Sequence, residues 1–469
     1  MSEDFEPNSP EEFDASSIER FEQMLKEGSV FYFDVEVFEQ IVEYYIRQNR
    51  IFESIEAITL AEAQHPYSII LQIRKAQLLS SIGKNSQAFD IITKLEAIEQ
   101  NNYEIYLSKG TILSQMDRAG EAIVNFNRAI ELAGDEADEV LLYIAFEYEN
   151  IGRYDKAIEY LKKSVRLNPE NEAALYELAF CFDLTEQYQA GVDFYTAMTD
   201  LSPFSAPSWY NLGLFYSKQE NYQTAIQAYD YAILIHEEFS SAYFNKGNAL
   251  ANLQLYTEAI ETYQETFKYE EPDPIAFQYI AECYENLNDN EKALKYFHKA
   301  VKAEPALADA WCGMGVVLDE MGRTGEATQN LQKAVAIEPE NAEYWYILGD
   351  LYLKSGFAEE GEEAYTRVTE LEPDNPEIWA DYVKALHANE KFQEAVEACL
   401  DGIKNQPDNT GLFFCLSAML IEAGSEKQGL QVFEEALVNN YEKHTEAFEV
   451  VPSLKEYPAL LEMLEVYKH

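Results

Sequence analysis

Residues 209–233 read WYNLGLFYSKQENYQTAIQAYDYAI, and the spacing within this stretch decides the fold. Trp209, Leu212, Gly213 and Tyr216 stand at i, i+3, i+4 and i+7, which puts them on one face of a helix. After a short turn, Ala225, Tyr229 and Ala232 share one face of a second helix. The pattern then recurs. Gly213 and Gly247 are 34 residues apart, Gly315 and Gly349 likewise, and Ala225, Ala259, Ala293 and Ala327 follow at the same step. Extending this register in both directions gives twelve units, beginning near Val35, Ile69, Tyr103, Asp138, Glu172, Ala206, Ser240, Pro274, Ala308, Ala342, Pro376 and Thr410. One step is 35 residues, between Tyr103 and Asp138, and its extra residue falls in the turn Leu132-Ala133-Gly134-Asp135, where an insertion disturbs no helix.

Each slot of the unit has a physical cause. The small slot of the second helix holds Ser54, Ala88, Ala122, Ala157, Gly191, Ala225, Ala259, Ala293, Ala327, Gly361, Ala395 and Gly429, as two closely approaching backbones require. Proline stands where the second helix must stop, at Pro66, Pro169, Pro203, Pro305, Pro339, Pro373 and Pro407. Trp209, Trp311, Trp345 and Trp379 all occupy the fourth position of their units.

These residues resemble the tetratricopeptide repeat signature W-x2-L-G-x2-Y followed by A, F, A and P, and the resemblance covers about residues 35 to 441. It implies an all-α fold: an α-solenoid of antiparallel helix pairs, wound into a right-handed superhelix with the first helix of each unit lining the inner wall, as in soluble scaffolds of bacterial type. Ordering one 34-residue unit costs on the order of 50 kcal/mol at about 1.5 kcal/mol per residue, so neighbours must stack. Weak copies at the two ends, such as Phe38 and Val42 in the first unit and Gln72 in the aromatic slot of the second, suit terminal repeats that face solvent on one side. The expected division is a disordered acidic tail over 1–15, a capping helix over 16–34 opened by the capping-box spacing of Ser16 and Glu19, the array over 35–441, and a C-terminal capping segment over 442–469. In that last segment Leu460, Leu464 and Tyr467 form one helical stripe.

Composition narrows the function. The 34 lysines and arginines against 85 aspartates and glutamates give a net charge of −51, a field that repels phosphate backbones and lacks the cations that drive nucleic-acid binding. Direct contact with nucleic acid is therefore not expected. The charge keeps a long, high-surface molecule soluble, or it selects a basic partner. Cys181, Cys283, Cys312, Cys399 and Cys415 form no CxxC pair, and their odd number argues against a disulfide framework and for a reducing compartment. The acidic start MSEDFEPNSPEEFD has the opposite order to a signal peptide, and no apolar run approaches membrane-spanning length. The reading is a cytoplasmic protein with no membrane contact.

The inner wall should be formed by first-helix residues that the repeat signature does not use. In the fifth to seventh units these include Tyr176, Phe180, Tyr210, Asn211, Leu214, Phe244, Asn245 and Asn248, an aromatic and amide surface. An amide donates to a peptide carbonyl and accepts from a peptide N–H at once, which suits an extended backbone. Asn211 and Asn245 share one slot and resemble two rungs of the asparagine ladder in O-linked N-acetylglucosamine transferase. Tyr279, Gly313 and Ile347 then end the series. Further along, Glu282, Glu285, Asp309, Asp319, Glu320, Asp350 and Asp381 make the wall acidic, with Lys354 and Lys384 opposing, which predicts a lysine- or arginine-rich ligand. The carboxylate clamp of chaperone-binding relatives needs lysine where Tyr176, Tyr210 and Phe244 stand, so that mode is disfavoured.

No catalytic motif emerges. His65, His236, His298, His387, His444 and His469 are scattered over different units with no HExxH pair, and Cys181 and Cys283 occupy slots beside packing positions, which suits burial. No metal or cofactor is assigned. The expected function is a non-catalytic scaffold or adaptor that holds an extended, basic protein segment in a groove from about Tyr143 to Asp381. The alternative is an acidic nucleic-acid mimic that occupies the basic site of a DNA- or RNA-binding protein.

Overall fold

The structure is a computed structural model that describes residues 15–27, 30–133, 137–375 and 378–468. Apart from Ala15, the acidic tail expected over 1–15 lies outside these residues, as do Gly134 and Asp135 of the long turn and the unit start Pro376. Among the described residues the chain is all-α, with no strand. Twelve helix pairs run from Val35–Arg47 with Ile51–Gln64 to Thr410–Glu422 with Glu426–Asn439. Ten of the first helices begin at the residue that the 34-residue register names. The fourth begins at Ala137, one residue before Asp138, and the eleventh is described from Ile378.

The turn inside each pair has one geometry throughout. The fifteenth residue of every unit takes a left-handed backbone: glycine at Gly83, Gly152, Gly322, Gly356 and Gly424, and elsewhere Asn49, Asp117, Glu186, Glu220, Gln254, Asn288 and Glu390. At Glu220 (φ 59°) the turn is closed by two backbone bonds, Asn221 N–H to the Tyr216 carbonyl at 2.8 Å and Glu220 N–H to the Ser217 carbonyl at 2.9 Å, which satisfy the last carbonyls of the first helix. Several first helices are opened by short polar side chains. The Ala174 N–H donates to Asn171 Oδ1 at 3.0 Å, and the Ile275 N–H donates to Asp273 Oδ1 at 2.8 Å.

Packing explains the periodic residues. The small slot is buried in all twelve units. A Cβ on Gly213 would come within 2.6 Å of the Tyr229 ring, and one on Gly247 within 2.5 Å of the Tyr263 ring. Glycine in the first helix thus makes room for the buried ring four residues after the small slot of the second. The shared tryptophan slot has a polar cause: the indole N–H of Trp209, Trp311, Trp345 and Trp379 donates to the carbonyl of Pro203, Pro305, Pro339 and Pro373, at 2.9, 2.9, 2.9 and 2.8 Å. The proline that stops one unit therefore anchors the first helix of the next.

The chain divides into two compact units, one ending at Glu237 and the other starting at Glu238, inside the expected 35–441 array. In each, helices pack in chain order, and first helices of successive repeats also touch, as Glu172–Leu184 does Ala206–Lys218 and Pro274–Asn286 does Ala308–Glu320. In the first unit the helix Ala15–Glu27 buries Phe21 against Phe33, Phe38 and Tyr45. It ends well short of residue 34, and Ser16 lies within it rather than at its cap. In the second unit the last repeat is followed by two 3-10 turns, the short helix Thr445–Val450 and the helix Pro458–Tyr467, with Leu460 buried among Phe433 and Leu437.

Candidate functional site

The positions that the core consumes leave part of each first helix uncommitted. In the first compact unit, Glu172–Leu184 and Ala206–Lys218 present Tyr176, Phe180, Tyr210, Asn211 and Leu214 around one hollow of about 300 Å3. Phe180 is 53% exposed and Tyr176 38% exposed, although both are large apolar side chains. Tyr176 and Tyr210 meet edge to face, their centroids 6.3 Å apart. Burial pushes the Tyr176 hydroxyl up to about 12, so it remains a donor at neutral pH. At the rim, Lys218 Nζ lies 3.0 Å from Asp183 Oδ2, so the cation lining the hollow is already neutralised.

Asn211 differs from the exposed amide that the register suggests. It is 1% exposed, and its Nδ2 has no hydrogen-bond partner. Asn245, in the equivalent slot of the second compact unit, donates instead to the Ser241 carbonyl of its own helix at 3.1 Å. The two members of the short amide series thus fall in different compact units and in different states.

In the second unit, Phe244 lies 5.7 Å from Tyr263 and 5.6 Å from Tyr279. Asn248 Oδ1 accepts the Tyr263 hydroxyl at 2.7 Å, beside a hollow of about 400 Å3 that Tyr279 and Glu282 also line. The acidic residues are largely engaged. Asp309 accepts the hydroxyl of Tyr344, and Asp350 that of Tyr365. Asp381 accepts from Tyr346 and from Lys384, both at 2.8 Å, and Asp319 pairs with Lys354 at 2.7 Å. Glu282 accepts Gln278 Nε2 at 2.8 Å, and burial raises its carboxyl above the usual range. Glu285 is pushed up to about 7 by burial and by the charges of Glu320 and Glu282. Wall acids held by tyrosine hydroxyls and lysines attract an incoming cation less than the bare sequence suggests, and Glu285 takes its full charge only above neutral pH.

Sequence reasoning missed one group. Glu149 is pushed up to about 7 by burial and by a hydrogen bond with Glu177, while Cys181 Sγ donates to Glu149 Oε1 at 3.3 Å. The signal was available, since all three stand on neighbouring first helices near the slot of Asn211, but abundant glutamate hid it. Burial also raises all five thiols, to about 12 at Cys283, Cys312 and Cys415, and all five cysteines are free and buried. Among the described residues no helix is long and apolar enough to cross a membrane.

Comparison with known proteins places the repeats independently. Tetratricopeptide repeat models match residues 103–136, 138–171 and 206–239, the bounds of the third, fourth and sixth units. A model described as the C-terminal domain of cilia and flagella-associated protein 70 matches residues 237–450. No curated protein matches the chain. Similar solved structures include a tetratricopeptide repeat protein from Parabacteroides merdae (17% identity, 52% of this chain and 97% of that one, TM-score 0.42). YrrB, titled a TPR protein with an unusual peptide-binding site, aligns at 21% identity over 42% of this chain and 97% of its own, with a TM-score of 0.34. MamA aligns at 19% identity over 34% of this chain and 95% of its own, with a TM-score of 0.33.

Proposed function

The chain is a tetratricopeptide-repeat protein, and from that premise we propose that it is a cytoplasmic adaptor whose first-helix faces hold an extended segment of a protein partner. Repeats of this kind are interaction scaffolds, and their fold is generally non-catalytic. The observation that carries the finer reading is the aromatic face of Tyr176, Phe180 and Tyr210, which stays accessible although every packing slot of the repeat is filled elsewhere. Such a face binds by burying rings with two side-chain torsions, at little entropic cost. In the second unit, Glu285 favours a partner segment with lysine or arginine above neutral pH, where its carboxyl is charged. In this reading residues 16–34 and 442–469 close the two ends of the array, and neither nucleic acid nor membrane is a direct ligand.

Capture of partners from native extract by the purified chain tests it. Phe180→Glu should remove the partner while the circular dichroism of the helices is retained, and Glu285→Lys should remove the basic portion of the binding. Unchanged capture by both variants rejects the first-helix faces. If DNA competes for the captured partner, the acidic mimic is supported instead.

A further inference from the structure

We propose that residues 441–456 form a built-in gate of the array: they lie over the first helices of the eleventh and twelfth repeats, and a partner segment reaches this end of the wall only when they lift. The inference rests on the adaptor reading and adds to it a means of regulation. Three observations carry it. The first is a break in register. A thirteenth unit would begin 34 residues after Thr410, at His444, and stack its first helix on Glu426–Asn439. The chain instead turns back on the array. The helix Thr445–Val450 packs chiefly against the first helices Ile378–Ala388 and Thr410–Glu422, the kind of face that in the adaptor reading belongs to a partner.

The second is how the segment is held. Its helix has six residues, too few to stand without contacts, and its anchors are Ala447, Phe448 and Val450, all buried. The chain on either side is fixed independently. Glu426–Asn439 is the second helix of the last repeat, and Pro458–Tyr467 returns to it, with Leu460 among Phe433 and Leu437 and the Tyr467 hydroxyl donating to Glu434 at 2.8 Å. The last repeat therefore keeps a cover when the segment leaves, and the stretch between the two fixed helices moves as one unit. The third is the seam. Between segment and wall there is a hollow of about 500 Å3, with Asp381, Lys384 and Cys415 on one side and Thr445, Glu446 and Glu449 on the other. Lys384 lies 2.8 Å from Asp381 on its own helix but 3.9 Å from Glu449 across the seam, a pair that contributes little. The segment thus adds two carboxylates to the hollow that Asp381 already lines, a repulsion that a basic partner segment taking its place removes.

The test uses the full-length chain and maleimide labelling, read by peptide mass spectrometry. Cys415 lines the seam, whereas Cys399 is buried in the same core on a second helix, and both thiols are free. Lifting of the segment bares Cys415 alone, so Cys415 should react at least about tenfold faster than Cys399. Phe448→Ala, which removes the largest anchor, should speed Cys415 by about a further hundredfold and leave Cys399 slow. Gly411→Cys with Glu446→Cys supplies a reversible lock, since a Cβ on Gly411 falls 2.5 Å from Glu446 Cδ. The oxidised lock should protect Cys415, and it should bind acetylated octalysine amide about tenfold more weakly than the same variant after reduction. Cys415 reacting no faster than Cys399 makes the segment a permanent cap, and equal octalysine affinity in the oxidised and reduced lock denies it control of the wall; either result overturns the gate. The ratio of the two thiols in the parent chain decides alone where the disulfide fails to form. Failure of the gate is separable from failure of the adaptor reading. Capture lost on Phe180→Glu but indifferent to the lock keeps the adaptor and rejects the gate, whereas redox-dependent octalysine binding with capture unaffected by Phe180→Glu and Glu285→Lys does the reverse.

Discussion

The hollow at Asn211 and the acidic wall at Glu285 are built on helix pairs of one kind, with the same turn geometry and the same small-residue slot, yet they differ in what they leave unsatisfied. In the first compact unit an amide is buried without an acceptor beside exposed rings. In the second, Asp309, Asp350 and Asp381 are held by tyrosine hydroxyls, and the strain is electrostatic, concentrated where Glu285 faces Glu320 and Glu282. The difference teaches that in a repeat scaffold the count of a residue type on a wall says less than the state of each residue. Seven acids look like one strong cation site in the sequence, but most of them already have partners.

The comparison assumes that both regions stand on identical packing, and truncating that packing has the largest expected effect. Tyr229→Ala in the first unit and Tyr263→Ala in the second each remove a buried ring, and each should cost about 3–5 kcal/mol in urea denaturation. Tyr263→Ala should additionally release Asn248, which loses its hydroxyl partner, so the two variants should separate in hydrogen exchange at the Asn248 helix. If Tyr263→Ala cost far less than Tyr229→Ala, the two regions would not share one scaffold.

Titration sharpens the electrostatic side. Glu285 is raised in the folded chain to about 7, so it binds more protons there than in the unfolded chain. Its contribution to stability is full below its unfolded value of about 4.5 and is lost as pH rises through about 7. The urea midpoint should therefore fall between about pH 5 and about pH 8, and Glu285→Gln should flatten part of that slope relative to the parent. A lysine-rich peptide should bind more weakly as pH falls over the same range, because the carboxyl that receives it is neutral there. An unchanged slope in Glu285→Gln would place the acidic strain elsewhere.

The smallest effects belong to the shared turn. Glu220→Gly and Glu390→Gly should each stabilise by roughly 1 kcal/mol or less, because glycine accepts the left-handed backbone that both residues now adopt. Gly322→Ala should destabilise by about 1 kcal/mol for the same reason, read from shifts in urea midpoint. Equal responses in the two compact units are expected, and an unequal one would break the premise that their turns are alike.

Much of this was legible in the sequence. The register set by Ala225, Ala259, Ala293 and Ala327 located ten of the twelve first-helix starts, because a slot that allows only small residues repeats with little noise. The shared tryptophan slot was legible too, although its reason, the indole bond to a proline carbonyl in the preceding turn, needed coordinates. The wall was read less well. Asn211 and Asn245 share a slot, and nothing in either residue foretells that one is buried with a free donor and the other bonded to Ser241. The bond from Tyr346 to Asp381 spans two repeats, and that from Tyr365 to Asp350 joins two helices of one, so both depend on how side chains lean, which residue type does not encode. Glu149 was overlooked because proximity across repeats brings it to Glu177 and Cys181, which stand four residues apart on the next first helix.

The central claim is that partners are held on first-helix faces rather than on the outer surface of the second helices. A photo-crosslinking amino acid in place of Phe180, compared with the same replacement at Leu234, which is 79% exposed on a second helix, tests it directly. Irradiation of the chain in native extract should give a discrete adduct from position 180 and none from position 234. Adducts from position 234 alone would contradict the account.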